Sequence, residues 1–382
     1  MNLTLSEEQL ALQETLNRFV AKDYSFKTRH DIIGSATGIS ASHWAQFAEL
    51  GLLALPFAET YGGLGGSAVD TMLVMEAIGR GLMVEPYLAT VVLAGGLLRD
   101  AGSEAQKELW LPQIADGSLL MGFAHYETGR RYEIDQVATR AQRAGGGYVL
   151  NGTKTFVLHG AQANKLIVSA LDVHDAQPAG TLSLFMVDPN AEGVNIHDYV
   201  TQDNLRAAEI TFTDVKLDDH ALLGEDHAVA ALPTIERVLD AANAALCAEA
   251  VGAMDALNQA TLEYLKTRKQ FGVPIGSFQA LQHRMVDMFT AAEQARSMAI
   301  LASIRMQSAN AAERRWACAA AKVLVSESAR LVGQQAVQLH GGMGVTDELN
   351  ISHYFKRLTA ICATFGDADY HLGYVSDSLL AA

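Results

Sequence analysis

The sequence predicts a mainly helical protein interrupted by a β insert. Apolar side chains recur at helical spacing near the start, the pattern becomes strand-like after about residue 120, and helical spacing returns from about residue 233. We therefore expect an N-terminal helical domain over residues 1–119, a middle β-barrel or sandwich over 120–228, and a C-terminal helix bundle over 229–382.

The N-terminal segment carries clear helix signals. Ser6 and Gln9 have the spacing of a capping box, and an apolar stripe at helical spacing follows them. A glycine-rich loop at residues 61–66 separates this run from a second helical run at 70–80. Such a loop can cradle phosphate, but no strand precedes it, so a flexible helix connection is the favoured interpretation.

The middle segment carries turn and strand signals. The Asn-Gly pair at 151–152 lies between two short apolar runs, which predicts a β-hairpin. Residues 165–170, 181–187 and 209–216 are further strand-like runs, with a turn expected at 188–190.

The C-terminal third is rich in small residues at helical spacing. Ala245, Ala248 and Gly252 recur on one face of the predicted helix, and small side chains allow another helix to approach closely. We therefore expect a tightly packed helix bundle here.

Composition excludes several function classes. The net charge of −15 argues against a nucleic-acid partner, because no basic excess could neutralise phosphates. Cys247, Cys318 and Cys362 are far apart in apolar segments, which favours buried reduced thiols, and no cysteine or histidine cluster indicates a metal site. The start lacks signal-peptide features and no apolar run reaches about 18 residues. We expect a cytoplasmic protein without a membrane span.

Two glycine-containing motifs suggest a phosphate-bearing ligand. The first is Arg-Lys-Gln-Phe-Gly at residues 268–272, and the second is Gln-Leu-His-Gly-Gly-Met-Gly at 338–344. Arg268 offers a forked permanent charge that suits a pyrophosphate, and Phe271 offers a flat face for stacking. The glycines allow close backbone approach. Either motif alone also fits an ordinary helix end.

Together, in this order, the two motifs resemble the acyl-CoA dehydrogenase family of flavoproteins. Residues 59–65 resemble its Glu-x-x-Gly-Gly-x-Gly stretch and residues 151–154 its Asn-Gly-x-Lys hairpin, so the resemblance covers essentially the whole chain. It implies a tetramer that binds FAD and removes two hydrogens from an acyl-CoA in lipid metabolism. A carboxylate takes the α-proton, and the electrons usually pass to an electron-transfer flavoprotein.

The resemblance also implies which residues hold the cofactor. In family tetramers the adenine and pyrophosphate of one FAD are held by one chain, and the flavin ring mainly by the β-module of its neighbour. The residues implied for the adenine and pyrophosphate half are Arg268, Gln270, Phe271, Ile275, Phe278, Gln338, Gly341 and Gly342.

The position of the catalytic base departs from the family pattern. The register that follows the second motif puts Phe365 where many members carry a glutamate, and Ala242 occupies the alternative position. The nearby carboxylates that could act as a displaced base are Glu236, Asp240, Asp367 and Asp369. Asp240 is the preferred candidate, because it lies about half a helical turn from Ala242.

The flavin-facing segments depart as well. Residues 126–131 stand where the family has a Thr-Glu-Pro-x-x-Gly-Ser-Asp segment, and their proline, glycine and serine do not match. Residues 156–159 replace a Trp-Ile-Thr-Asn stretch, and Leu158 lacks the hydroxyl that contacts the flavin.

This uneven loss indicates a chain that works with a partner. Residues 268–284 resemble the branch of heteromeric acyl-CoA dehydrogenases that includes pimeloyl-CoA dehydrogenase small subunits. The favoured hypothesis is a subunit of such an enzyme, with a degenerate base site. The first alternative is a homomeric enzyme with a displaced carboxylate base. The second is a non-catalytic helical oligomerisation protein that has lost FAD.

Overall fold

A computed structural model describes residues 4–174, 177–224 and 231–380 of the chain. Its contacts divide the chain into two compact units. The first unit comprises residues 1–34, 67–84 and 243–382, and the second comprises residues 35–66 and 85–242. The boundaries expected at residues 119 and 228 stay a prediction.

The order of elements confirms the predicted fold class, with helices before and after a β segment. The first helices are α1 (Glu7–Asp23), α2 (Phe26–Ile33), α3 (Ala41–Glu49), α4 (Ala68–Gly81), α5 (Gly95–Ala101) and α6 (Glu104–Ala115). The strands that follow are β1 (Met121–Ala124), β2 (Arg140–Ala144), β3 (Gly147–Leu158), β4 (Lys165–His174), β5 (Gln177–Val187), β6 (Val194–Val200) and β7 (Arg206–Asp218). The remaining elements are α7 (Ala231–Thr267), β8 (Lys269–Gln270), β9 (Val273–Pro274), α8 (Gln279–Arg305), α9 (Ala311–His340), α10 (Asn350–Ala363) and α11 (Ala368–Leu380).

The capping box at the start of α1 is confirmed. The Gln9 backbone N–H donates to Ser6 Oγ over 3.2 Å, and the Ser6 N–H donates to Gln9 Oε1 over 3.1 Å. These bonds satisfy two donors that a helix start leaves without intrahelical partners.

The glycine loop at residues 61–66 is a packed turn of the second unit. The N–H groups of Gly63, Gly65 and Gly66 donate to backbone carbonyls of residues 54–58 over 2.7 to 3.0 Å. A Cβ at Gly63 would lie only 2.0 Å from the Phe57 carbonyl oxygen. The expectation of a flexible connection is therefore wrong, and the bonded N–H groups are not available to cradle a phosphate.

The β segment forms one seven-stranded mixed sheet in the second unit. Its strands are ordered β1-β4-β2-β3-β7-β6, and β5 pairs with β4. β4 runs parallel to β1 and β2 and antiparallel to β5, whereas β3 and β7 form a long antiparallel pair. One face packs a core that includes Tyr148, Phe185 and Phe212. The three strand-like runs predicted from the sequence are confirmed as parts of β4, β5 and β7.

The hairpin predicted at residues 151–152 is wrong, because both residues lie within β3. The turn sits instead at Gly145 and Gly146, which join β2 to β3 and have φ values of 60° and 85°. Two successive left-handed residues make the tight turn that antiparallel strands favour. Gly152 belongs to a register shift against β7, and a Cβ there would lie 2.4 Å from Thr139 Oγ1. Glycine at this position permits the β-bulge and the close approach of Thr139 to the backbone.

A buried ionic network joins the segment after β1 to β3. Lys154 Nζ is fully buried, lies 2.7 Å from Glu127 Oε1, and donates to Ser169 Oγ over 3.1 Å. Glu127 also accepts from the Thr139 N–H and hydroxyl. Burial raises the pKa of Glu127, but the Lys154 ammonium outweighs this and lowers it to about 2. Burial lowers the pKa of His125, which bonds Ser169, to about 3, so its ring is neutral.

Helices α4 and α7 cross with their backbones in contact in the first unit. A Cβ at Gly79 would lie 1.9 Å from the Glu249 carbonyl oxygen, and one at Gly252 would lie 1.8 Å from the Glu76 carbonyl oxygen. No larger residue fits this crossing without movement of a helix backbone. The close packing predicted from the small residues of α7 is thus confirmed.

Carboxylates beside the crossing bind two further helices. Glu249 is buried and forms a two-point pair with Arg357 of α10, with N–O distances of 2.5 and 2.7 Å. Glu76 lies 3.0 Å from Arg296 of α8 and 2.9 Å from Arg80. The pairs with Arg357 and Arg296 link α7 to α10 and α4 to α8 through charge-assisted hydrogen bonds, whereas Arg80 lies on α4 itself.

Cys247 and Cys318 are buried, Cys362 is half-buried, and all three are free thiols, as predicted. Within the described residues, no group of histidine, cysteine or carboxylate side chains could hold a metal ion. None of the helices described is both long and apolar enough to cross a membrane.

We predict that Gly252→Ala destabilises the protein, because the new methyl group would overlap the Glu76 carbonyl oxygen. The expected loss is about 1–3 kcal/mol of the free energy of unfolding, measured by denaturant or thermal unfolding. Gly373→Ala on α11 is the matched control, since nothing lies within 4 Å of a Cβ there. The control should be neutral or stabilising by up to about 1 kcal/mol. Equal stability of both variants would show that the crossing can relax.

Candidate active site

The first glycine-containing motif, residues 268–272, forms a small hairpin at the end of α7. We call it and the motif at residues 338–344 the cofactor motifs, after the role expected for them. β8 pairs with β9, and the Ile275 N–H donates to the Arg268 carbonyl over 2.9 Å. Phe271 and Gly272 form the tip, with φ values of 56° and 83°. The Phe271 ring is 91% exposed and lies edge-on to Phe278, with ring centroids 6.2 Å apart. Core packing does not explain a bulky residue that has a left-handed backbone and an exposed ring. This combination indicates that the Phe271 ring contacts another molecule or chain.

The second motif forms the end of α9 and the short 3-10 helix Gly341–Val345. Gln338, Gly341 and Gly342 are exposed. Gly341 has a φ of 59° and is the residue at which α9 ends, where glycine tolerates the positive φ. Gly342 is not in the left-handed region, and no described atom lies within 4 Å of a Cβ built there. Its lack of a side chain therefore leaves open space for an external group.

The structure brings the two motifs together through a stacked aromatic pair. The Tyr264 ring, one turn before the hairpin, stacks on the His340 ring with centroids 4.3 Å apart and an interplanar angle of 28°. The Arg268 N–H donates to the Tyr264 carbonyl, and His340 Nδ1 lies 2.8 Å from the Ala336 carbonyl. Burial lowers the pKa of His340. Sequence analysis missed this pair, although His340 belongs to the second motif and Tyr264 lies four residues before the first.

The two flavin-facing segments expected from the sequence also meet, in the second unit. The Thr155 N–H donates to the Tyr126 carbonyl over 2.8 Å, beside the Glu127–Lys154 pair. Phe156 is in the left-handed region with a φ of 52°, and Leu158 is 8% exposed. The backbone of the two segments is therefore aligned, and Leu158 presents an apolar side chain where a hydroxyl was expected.

Both positions expected for a base hold residues that cannot accept a proton. Ala242 is fully buried on α7. Phe365 is half-buried in the turn between α10 and α11, with a φ of 57°. The Phe365 carbonyl accepts from Asn243 Nδ2 over 3.4 Å and lies 3.2 Å from His371 Nε2. Side chains of α7 and α11 thus hold this turn through the Phe365 carbonyl.

The candidate displaced bases differ in their surroundings. Asp240 is 7% exposed on α7, whereas Glu236 is half-buried and Asp369 is exposed. Asp367 Oδ1 accepts from the Tyr370 N–H over 2.9 Å, so Asp367 caps α11. A general base works best when it is desolvated, which favours Asp240 among the four.

Three domain profiles match the chain in order. They are described as the N-terminal domain (residues 6–118), the middle domain (122–215) and the C-terminal domain (232–380) of acyl-CoA dehydrogenase. A probable acyl-CoA dehydrogenase of Bacillus subtilis, YngJ, is 30% identical over 361 residues, which cover 93% of each chain.

Two solved structures are similar over nearly the whole chain. PigA, solved with FAD and proline, is 28% identical with a TM-score of 0.89, and the match covers 99% of both chains. A chain of the ChsE4-ChsE5 complex from Mycobacterium tuberculosis is 25% identical with a TM-score of 0.88, over 100% of both chains. Profiles, relatives and fold agree with the site geometry, and the chain belongs to the acyl-CoA dehydrogenase family of oxidoreductases.

Proposed function

We propose that this chain is an FAD-binding subunit of a heteromeric acyl-CoA dehydrogenase, in which a homologous subunit supplies the catalytic carboxylate. The observation that carries this proposal is the Phe365 turn, which is ordered but holds no base. When bound, FAD supplies the acceptor for the β-hydride of the acyl thioester. The electrons would then pass to an electron-transfer flavoprotein.

The first unit fits the adenine and pyrophosphate half of FAD. Arg268 is exposed and carries a permanent charge suited to phosphate oxygens. Phe271 presents its ring from a hairpin tip whose backbone is already folded, and Gly342 leaves room for an incoming group. Gln338 lies at the end of the same α9 that carries His340 and could donate or accept a hydrogen bond. The same reasoning supports roles for Gln270, Ile275, Phe278 and Gly341, which lie on these two motifs.

Exposed apolar residues of the first unit support association with another subunit. Phe271, Val286, Phe289 and Val345 are each at least 60% exposed. A single exposed apolar residue is ordinary, but several large ones on one unit are typical of a surface that a partner covers. Such a partner is the source we propose for the flavin-ring contacts.

The contrast between the two sets of contacts favours a different subunit as the partner. Arg268 and Phe271 are retained, whereas Phe365 and Leu158 replace a base and a hydroxyl. General decay would have removed both sets. Among the similar structures, the ChsE4-ChsE5 complex joins two differently named chains, which supports this arrangement.

A homomeric enzyme with Asp240 as its base is the second candidate. The specific observation in its favour is that the Asp240 side chain is buried, as a desolvated base would be. In this arrangement Asp240 would take the α-proton of the acyl thioester, and backbone groups would replace the lost side-chain contacts to the flavin.

Arg268→Ala is expected to weaken FAD binding, because it removes charge-assisted hydrogen bonds to phosphate. A loss of roughly 1.5–3 kcal/mol corresponds to a rise in Kd of about 10- to 150-fold. Equilibrium dialysis of FAD against the assembled protein measures this change. Lys269→Ala is the matched control, since it removes one positive charge from the same exposed hairpin. Equal losses in both variants would indicate a general charge effect and count against a specific contact.

The isolated chain, loaded with flavin, should show little or no turnover with a dye acceptor. The physical reason is that neither Phe365 nor Ala242 can accept the α-proton. Activity should appear on mixing with a homologous chain that carries the glutamate. The assay should cover straight-chain, branched, dicarboxylic and steroid CoA thioesters. Robust turnover of any of them by the isolated chain would refute the partner-dependent proposal.

If the isolated chain is active, Asp240→Asn should abolish turnover while the protein stays folded. The amide keeps the shape of the side chain and loses its basicity. Glu236→Gln makes the same chemical change one helical turn away and serves as the control. Stopped-flow reduction of the bound flavin by substrate measures the step directly. Full activity in Asp240→Asn would exclude this residue as the base.

A further inference from the structure

The turn that carries Phe365 is unusually constrained. Phe365 and Gly366 have φ values of 57° and 115°, and a Cβ at Gly366 would lie 2.4 Å from His371 Nε2. Phenylalanine rarely adopts the left-handed region, because its Cβ crowds the backbone. A conformation of this kind persists only where surrounding contacts impose it.

Side chains from three helices bind the three successive carbonyls of this turn. Lys322 Nζ on α9 donates to the Thr364 carbonyl over 2.5 Å and to the Gly366 carbonyl over 2.9 Å. Asn243 Nδ2 on α7 donates to the Phe365 carbonyl over 3.4 Å, and His371 Nε2 lies 3.2 Å from the same oxygen. The turn is therefore fixed from α7, α9 and α11 at once.

Lys322 is the centre of this arrangement. Its side chain is fully buried, and its third hydrogen bond goes to Asn243 Oδ1 over 3.4 Å. Three ammonium donors thus meet three neutral acceptors. Burying a cation among neutral acceptors is unfavourable, so a lysine at this position indicates a role other than packing. Lys322 is also a lone charge in an Ala- and Val-rich run, a signal that sequence analysis did not use.

We infer that Lys322 is a positioning residue, which fixes the Phe365 turn so that the aromatic ring occupies one place in the acyl-CoA site. This inference rests on the proposed function in one respect: the sequence register with the family, which puts Phe365 at the position of the catalytic base. We call Lys322, together with Asn243 and His371 and their hydrogen bonds to this turn, the Lys322 clamp. Because Phe365 cannot exchange a proton, we expect the clamp to affect substrate binding. Proton abstraction belongs to the partner subunit.

The groups that face Lys322 allow a pH test. Burial lowers the pKa of Lys322 to about 8, with Cys247, Cys362 and Asp367 opposing the shift. Burial raises the pKa of Cys247 to about 12 and also raises that of Cys362, while it lowers that of His371 to about 4. Arg357 and Arg315 also face this cluster and stay charged. Deprotonating Lys322 removes one of its three donors while these neighbours keep their charge states.

The first test is hydrogen–deuterium exchange in the isolated chain. The reporting amides flank the turn: the Thr364 N–H donates to Ala360, and the His371 N–H donates to Asp367. Lys322→Met should speed their exchange at least about tenfold. In the unchanged chain, protection corrected for intrinsic exchange should fall above about pH 8, and in Lys322→Met it should not depend on pH. Ser326→Ala, a buried change one turn along α9, should match the unchanged chain.

The second test measures turnover of the enzyme assembled with a glutamate-bearing homologue. Lys322→Met should raise KM for the acyl-CoA about tenfold or more and leave kcat within about twofold. Asn243→Ala removes two contacts, the bond to the Phe365 carbonyl and the bond from Lys322, and should also raise KM. This second variant keeps the test decisive if Lys322→Met does not fold. Unchanged exchange, or faster exchange with unchanged KM, would overturn the positioning role. If neither the isolated chain nor the mixed enzyme turns over any substrate without a substitution, the proposed function is wrong. The hydrogen–deuterium exchange result alone would then decide whether Lys322 fixes the turn.

Discussion

The crossing of α4 and α7 is the constraint on which the helical unit depends. Gly79 and Gly252 allow each backbone to touch a carbonyl of the other helix, so the two axes cannot separate or rotate without losing that fit. The carboxylates of Glu76 and Glu249, each three residues before one of these glycines, then bind arginines of α8 and α10. The two glycines thus fix how α4 and α7 cross, and the two carboxylates tie α8 and α10 to them. The end of α7 is where the Arg268 hairpin begins.

Both cofactor motifs are extensions of helix ends. The hairpin with Arg268 and Phe271 continues α7, and the glycine segment continues α9, with Tyr264 and His340 stacked where the two helices finish. Groups at helix ends are positioned by a rigid body, yet they face solvent and can meet a ligand. This placement explains how exposed residues can form a binding surface that is already ordered in the isolated chain, an arrangement that reduces the entropy lost on binding.

Three phenylalanines in the segments proposed for function have a strained backbone. Phe271, Phe156 and Phe365 are all in the left-handed region, although phenylalanine disfavours it. Phe271 lies at the tip of a two-strand hairpin, and Phe156 lies at a register shift of β3 against β7. Phe365 lies between the two carbonyls that Lys322 binds. The turn that carries Phe365 is therefore held by its surroundings, whichever residue occupies its tip.

The sequence alone determined the family and the order of helical and β segments, and it located the two motifs proposed to hold the cofactor, because periodicity and short motifs are local properties. It also predicted close packing around Gly252. It misplaced the hairpin, since an Asn-Gly pair suits a turn and a bulge equally well and only pairing with β7 distinguishes them. The Tyr264–His340 stack, the burial of Asp240 and the Lys322 clamp were decided by tertiary structure. Each depends on residues far apart in the chain, and a local pattern carries no information about which distant groups will meet.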